Sequence, residues 1–165
     1  MRRDQAGLSE RLSTIARWFA GAGLLLMTLI IAWQVFARYV LNASPAWAEQ
    51  LALLLMIWYV MFAAAAGVRE GFHIRISVIA DAFSGNAKKA VNIVAQSTVA
   101  IFGIAMAAWG TELALATWAH VIPTLGLPRG VAYIPIPLSG LLICGFALER
   151  IVAEVRDREV TSTWN

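Results

Sequence analysis

Histidines, cysteines and paired carboxylates are the usual material of a catalytic or metal centre, and here they are few and far apart. His73 and His120 are the only histidines, and Cys144 is the only cysteine. One thiol can form no internal disulfide and cannot run dithiol exchange. Two imidazoles could hold a haem iron between helices, as in four-helix membrane cytochromes, but only if both reach the same depth of the bilayer. The remaining candidates are ionisable groups bordering apolar runs: Arg38 and Glu49 within "RYVLNASPAWAEQ", then Arg69, Glu112, Arg129 and Glu149. None has the spacing of a zinc site, a phosphate-binding loop or a nucleophile with its base.

The elements that must carry these groups are built for lipid. Apolar residues make up 60% of the 165 and charged residues 14%, with mean hydropathy +0.71, against roughly 45–50% and 25% in soluble domains. Charges fall in clusters that leave four uncharged runs, Trp18–Ala37, Gln50–Val68, Ala90–Thr111 and Gly130–Leu148. Each is about 20 residues, enough to cross a hydrocarbon core of roughly 30 Å as a helix. Continuous apolar runs without in-out alternation exclude a transmembrane barrel. The chain is therefore expected to be an all-α membrane protein forming one domain over residues 1–165. Its four transmembrane helices should cover about 18–38, 48–68, 89–111 and 133–152.

The net charge of +3 does not point to nucleic acid once the positions of the basic residues are considered. Eleven of the thirteen precede span one, lie between spans two and three, or follow span four; only Arg38 and Arg129 fall on the other side. The positive-inside rule puts both termini and the central loop in the cytoplasm. Membrane lipid is the expected partner, and no nucleic-acid contact is expected. Ala46-Trp47-Ala48 matches a small-x-small cleavage pattern, but the first apolar run exceeds a signal core and Arg38 separates the two. Span one is accordingly read as retained.

Between the spans, local chemistry sets the connections. Leu8, Leu12, Ile15 and Phe19 recur at helical spacing, predicting a short surface helix running into span one. Asn42 to Pro45 reads as a tight outer turn, with Ser44 as N-cap, Pro45 at the first helical position and Glu49 in the first turn of span two. In the central loop, Phe72, Ile76, Ile79 and Phe83 form an apolar stripe, predicting an amphipathic interfacial helix over about 70–84, between spans two and three. A short strand there would lack a pairing partner. Span three gathers Asn92, Gln96, Gly103, Ala107 and Gly110 on one face, a seam for close helix approach, either within the chain or against another subunit. "YIPIPLSG" begins the last helix with prolines suited to a first turn, and that helix should continue past Leu148.

Placed on these elements, every ionisable side chain sits at a span end, where a charge is inexpensive, and none at mid-depth, where one would mark a path or site. The histidines fall on opposite faces of the membrane, so they cannot share one iron. No enzymatic activity and no cofactor are expected, and a multidrug exporter with an intramembrane carboxylate is disfavoured. Trp18, Trp47, Trp109 and Trp118 lie near the predicted interfaces, as belt anchors do.

The segment "FARYVLNASPAWAEQLALLLMIWYVMFAAAAGVREGFHIRI", with the later "YIPIPLSG", resembles the small membrane subunit (DctQ type) of tripartite ATP-independent periplasmic (TRAP) transporters. The matching positions are Arg38, Tyr39, Asn42, Trp47, Glu49, Trp58, Arg69 and His73; Gln50 departs from the pattern, standing where a second acid is common. The resemblance implies a bacterial inner-membrane subunit that acts with a large multi-span permease and a periplasmic substrate-binding protein. The large subunit would carry the organic-acid and sodium sites, and the small one would brace its scaffold. It further implies that Arg38 and Glu49 lock the outer hairpin or meet the binding protein, and that Arg69 and His73 fix the inner end of span two. Two other classes remain at this point: an independent small transporter, which would take up solute unaided, and a membrane anchor of a redox complex, which would co-purify with a dehydrogenase.

Overall fold

The computed structural model describes residues 3–43, 45–70 and 86–156. Its helices are α1 (Arg3–Tyr39), α2 (Ala46–Glu70), α3 (Asn86–Ala116), the short α4 (Gly130–Tyr133) and α5 (Pro135–Val155), with a hairpin of two-residue strands, β1 (Val121–Ile122) and β2 (Leu127–Pro128). Among the described residues, four helical segments are long and apolar enough to cross a membrane: Glu10–Tyr39, Ala46–Arg69, Ala87–Ala116 and Gly130–Val155. The chain is an all-α multi-pass membrane protein, as its apolar runs require.

α1 is a single uninterrupted helix of 37 residues, about 55 Å at 1.5 Å per residue. The surface helix expected before span one is thus continuous with it, because no glycine or proline interrupts the stretch from Leu8 to Ala20 and the charges there mark polarity rather than a helix end. The chain leaves α1 at Asn42, whose φ of 49° puts it in the left-handed region that asparagine tolerates better than most residues. The Ala43 N–H then bonds back to the Ala37 carbonyl at 3.0 Å. α2 begins immediately after Pro45 and carries Glu49 in its first turn; the expected Ser44 cap lies outside the described residues. So does the interfacial helix expected at about 70–84, apart from Glu70, which ends α2.

α3 outruns the span read from the sequence at both ends. Beyond it the Pro/Gly-rich loop folds back as an antiparallel hairpin, Val121 opposite Pro128 and Ile122 opposite Leu127. Gly126, at φ 65°, makes the turn, and the Arg129 N–H closes the hairpin base on the His120 carbonyl at 2.7 Å. α5 then starts at Pro135, where the missing amide hydrogen removes no helical bond, and runs beyond Leu148 as expected.

The spans pack side by side in the spatial order α1, α2, α5, α3, so that α1 touches α2 and makes no comparable contact with α3 or α5. Small residues fill the seams. Ala16, Ala20 and Ala37 of α1 and Ala48, Ala52 and Ala66 of α2 are buried. Ala65, Val68, Ile143 and Phe146 form the core between α2 and α5, with Val99 and Met106 of α3 against it. The face of α3 expected to admit a close neighbour is taken by α5 of the same chain. A Cβ on Gly103 would stand 2.8 Å from the Gly140 carbonyl oxygen, and one on Gly140 would stand 2.7 Å from the Gly103 carbonyl oxygen. Backbones approach this closely only where both helices lack side chains.

Candidate subunit interface

The positions singled out in the sequence divide between the two ends of the spans. Arg38 and Tyr39 close α1, Asn42 turns the chain, and Trp47 and Glu49 open α2; all five are exposed. Tyr39 is 75% exposed. Among the described residues no ion pair joins Arg38 to Glu49. The hairpin is instead shaped by backbone: the left-handed Asn42, the Ala43–Ala37 bond, and the Ala48 N–H on the Pro45 carbonyl. The five side chains are therefore exposed as two opposite charges, two aromatic rings and the Asn42 amide around the turn.

Trp58 lies farther along α2, and its role is internal. Its indole Nε1–H donates to the Val131 carbonyl of α4 at 3.2 Å, tying α2 to the chain segment that leads into α5. Its ring also sits in a small aromatic group, 6.1 Å from Phe19 of α1 and 6.4 Å from Phe62, with Phe19 and Phe62 edge-on at 5.0 Å. Such tilted arrangements suit the ring quadrupoles and add to simple burial.

At the opposite end, Arg69 occupies the last turn of α2. Its guanidinium lies 6.0 Å from the centroid of Phe146 on α5, at the outer limit of a cation–π contact, and its backbone carbonyl accepts a hydrogen bond from Arg150 Nη2. His73 lies outside the described residues. Nearby, Asn92 Nδ2 donates to Glu154 Oε1 at 3.2 Å, joining α3 to α5. His120 is exposed beside the outer hairpin.

Sequence reasoning missed Arg150. By position it counts among the basic residues at the end of span four, whereas it is buried and donates to the Arg69 carbonyl of α2. The signal was present in its register: Ser139, Ile143, Phe146 and Arg150 follow one another at four, three and four residues, and all are buried. That spacing places them on one helix face.

The outward faces of the spans are strongly apolar. On α5, Leu138, Leu141, Leu148, Val152 and Val155 are exposed at three- and four-residue intervals or their multiples; on α2, Leu53, Met56 and Val60 are. α1 exposes most of its length, including Leu24, Leu25, Leu29 and Trp33. A surface of this kind can meet acyl chains or another membrane protein.

Comparison with known proteins agrees with this shape. Residues 27–157 match the family described as "Tripartite ATP-independent periplasmic transporters, DctQ component". The chain is 29% identical over 100 residues to the "C4-dicarboxylate TRAP transporter small permease protein DctQ" of Rhodobacter capsulatus, a match covering 59% of this chain and 44% of that relative. It is 23% identical over 122 residues to the "Sialic acid TRAP transporter small permease protein SiaQ" of Vibrio cholerae, covering 74% of this chain and 70% of the relative. The chain thus spans less than half the length of the first of these relatives. With the family pattern covering most of the chain, including three of the four apolar helices complete, this protein belongs to the family of the DctQ component of tripartite ATP-independent periplasmic transporters.

Proposed function

We propose that this subunit braces the scaffold of a large permease that imports an organic acid together with sodium, with a periplasmic binding protein delivering the acid. The observation that carries the reading is the open row of spans. Among the described residues α1 packs against α2 and not against the other spans, and most of its large apolar side chains point away from them. A row widens the anchored surface of a larger assembly, and its seams are filled by packing against small residues. Support for a carboxylate cargo comes from two relatives, one named for a C4-dicarboxylate and one for sialic acid.

The distribution of basic residues supports an orientation with both termini in the bacterial cytoplasm, by the positive-inside rule. The exposed group Arg38, Tyr39, Trp47 and Glu49 then faces the periplasm, where it would meet the binding protein or the outer rim of the permease. Arg69 and His73 would hold the inner end. Proteoliposomes containing the chain alone, the permease alone, and both with the binding protein provide the test. Sodium-dependent uptake of a carboxylate is expected only with the complete set. Uptake by the chain alone, or full uptake without it, would overturn the proposal.

A further inference from the structure

Facing helices bury an acceptor and two donors that have no hydrogen-bond partner: Gln96 Oε1 on α3, and Nε and Nη1 of Arg150 on α5. Contacts on either side fix their relative level. Asn92 Nδ2 of α3 donates to Glu154 Oε1 of α5, and a Cβ on Gly103 of α3 would stand 2.8 Å from the Cys144 amide nitrogen of α5. Those pairings run antiparallel. Four residues on from Asn92 is Gln96 and four back from Glu154 is Arg150, so each has moved about 6 Å along its axis and the two remain level. At 3.6 residues per turn, Gln96 also lies within about 40° of both Asn92 and Gly103, on the face of α3 that meets α5. Arg150 is on the buried face of α5, and its Nη2 donates to the Arg69 carbonyl of α2. Since α5 stands between α2 and α3, a guanidinium that reaches α2 with one nitrogen has α3 as its other neighbour. Unmet, the acceptor and both donors would carry the full cost of desolvation. Rotation about the side-chain torsions of Gln96 is enough to bring its carbonyl oxygen to them.

We propose that Gln96 Oε1 accepts a hydrogen bond from the Arg150 guanidinium, making Arg150 a clasp that joins α2, α5 and α3 at the end of the row where α2 and α5 finish. The donor is charged, which makes the bond stronger than one between neutral groups. Arg150 is then a branch point, with one nitrogen on the main chain of α2 and another on a side chain of α3. α2 and α3 do not pack closely on each other, so a displacement at the end of α2 is passed to α3 through this residue. The Asn92–Glu154 bond, one turn farther along, reinforces the α3–α5 half of the clasp.

A double-mutant cycle on the full chain, read by denaturant titration in mixed micelles, tests the bond. Gln96→Leu and Arg150→Met should each lower the folding constant. The double variant should lose less than the product of the two losses, by about threefold to twentyfold, the range of hydrogen bonds between membrane helices. Trp58→Phe, more than two turns away along α2, should combine with Arg150→Met without such coupling. Charge at position 96 gives a second readout. Gln96→Glu should stay closer to wild-type stability than Gln96→Leu, because Arg150 donors meet the carboxylate; without them a buried carboxylate would be the worse of the two. That comparison leaves Arg150 intact and decides even if Arg150→Met does not fold. Amide exchange should rise at the Gln96 end of α3 in Gln96→Leu, and at the ends of both α2 and α3 in Arg150→Met. Uncoupled losses in the cycle, or leucine better tolerated than glutamate at position 96, would overturn the proposal. Both measurements use this chain alone, so failure of the bracing role would leave their result standing.

Discussion

Replacing Gly103 by alanine puts the α3–α5 seam to a quantitative test. The added methyl would stand 2.8 Å from both the Cys144 amide nitrogen and the Gly140 carbonyl oxygen, and 3.2 Å from Cys144 Cα. All three are backbone atoms, so no side chain can swing aside. Restoring an ordinary separation of about 3.5 Å requires the helices to part by roughly 0.7 Å, a gap that forfeits about a quarter to a half of each dispersion contact beside it. Overpacking of this kind costs about 1–3 kcal/mol, offset in part by the roughly 0.5–1 kcal/mol by which alanine favours a helix over glycine. A net loss of about 1–2 kcal/mol is therefore expected, measured by denaturant titration in mixed micelles with helix content followed by circular dichroism. Gly140→Ala should cost a similar amount, and the double variant less than the sum, since both methyls separate the same pair of helices. Gly145→Ala is the control: a Cβ there meets nothing within 4 Å, so it should be neutral or slightly stabilising. If Gly103→Ala matched the wild type, the seam would not be held by backbone approach.

Three further outcomes follow from the same geometry. Trp58→Phe keeps a ring beside Phe19 and Phe62 but removes the bond to the Val131 carbonyl, and should lower stability by about 1 kcal/mol in the same titration; no loss would show that this tie contributes nothing. Asn42→Gly relieves a left-handed residue and should stabilise the outer hairpin by up to about 1 kcal/mol, whereas Asn42→Val, branched at Cβ, should destabilise it. Gly23→Leu drives a side chain into Tyr59, whose Cβ lies 2.8 Å from the position of the added Cβ. Amide hydrogen exchange, read by mass spectrometry, should then rise in α1 and leave α3 and α5 unchanged; a uniform rise would mean that the row opens as one unit.

Much of this architecture was legible because the signals are periodic or compositional. The uncharged runs, the prolines opening α5 and the glycine face of α3 each state a physical requirement directly in the sequence. The outer β-hairpin was not legible, since strands of two residues offer no alternation to detect and Gly126 alone marks a turn without naming its partner strands. The continuity of α1 was obscured for a different reason. Arg11 and Arg17 mark where polarity changes, which is a property of the expected membrane surface, whereas helix ends are set by caps and breakers. Arg38 and Glu49 drew notice as a charged pair across a turn, yet opposite charge does not bring exposed side chains together when each is solvated and the pair would gain little. Arg150 was misread because charge count outweighed register: a basic residue near a span end is usually at the rim, and only the buried positions one and two turns before it reveal the inward face.

The division of forces in the row bears on how such a subunit can serve a larger machine. In water, its many exposed large side chains would drive collapse; in hydrocarbon they gain nothing by turning inward, so the spans are held by close packing and by a few polar ties. The helix-to-helix ties Trp58–Val131, Asn92–Glu154 and Arg150–Arg69 all lie within the α2–α5–α3 part of the chain. α1 is held to α2 by alanines, by Gly23 against Tyr59, and by the Phe19 ring. The α5–α3 seam is thus closed by direct backbone approach, whereas the α1–α2 seam is lined by small residues and one aromatic ring. On the proposed bracing role, the closely packed α5–α3 seam would oppose the moving part of the permease, and the exposed apolar face of α1 would meet the wall it supports.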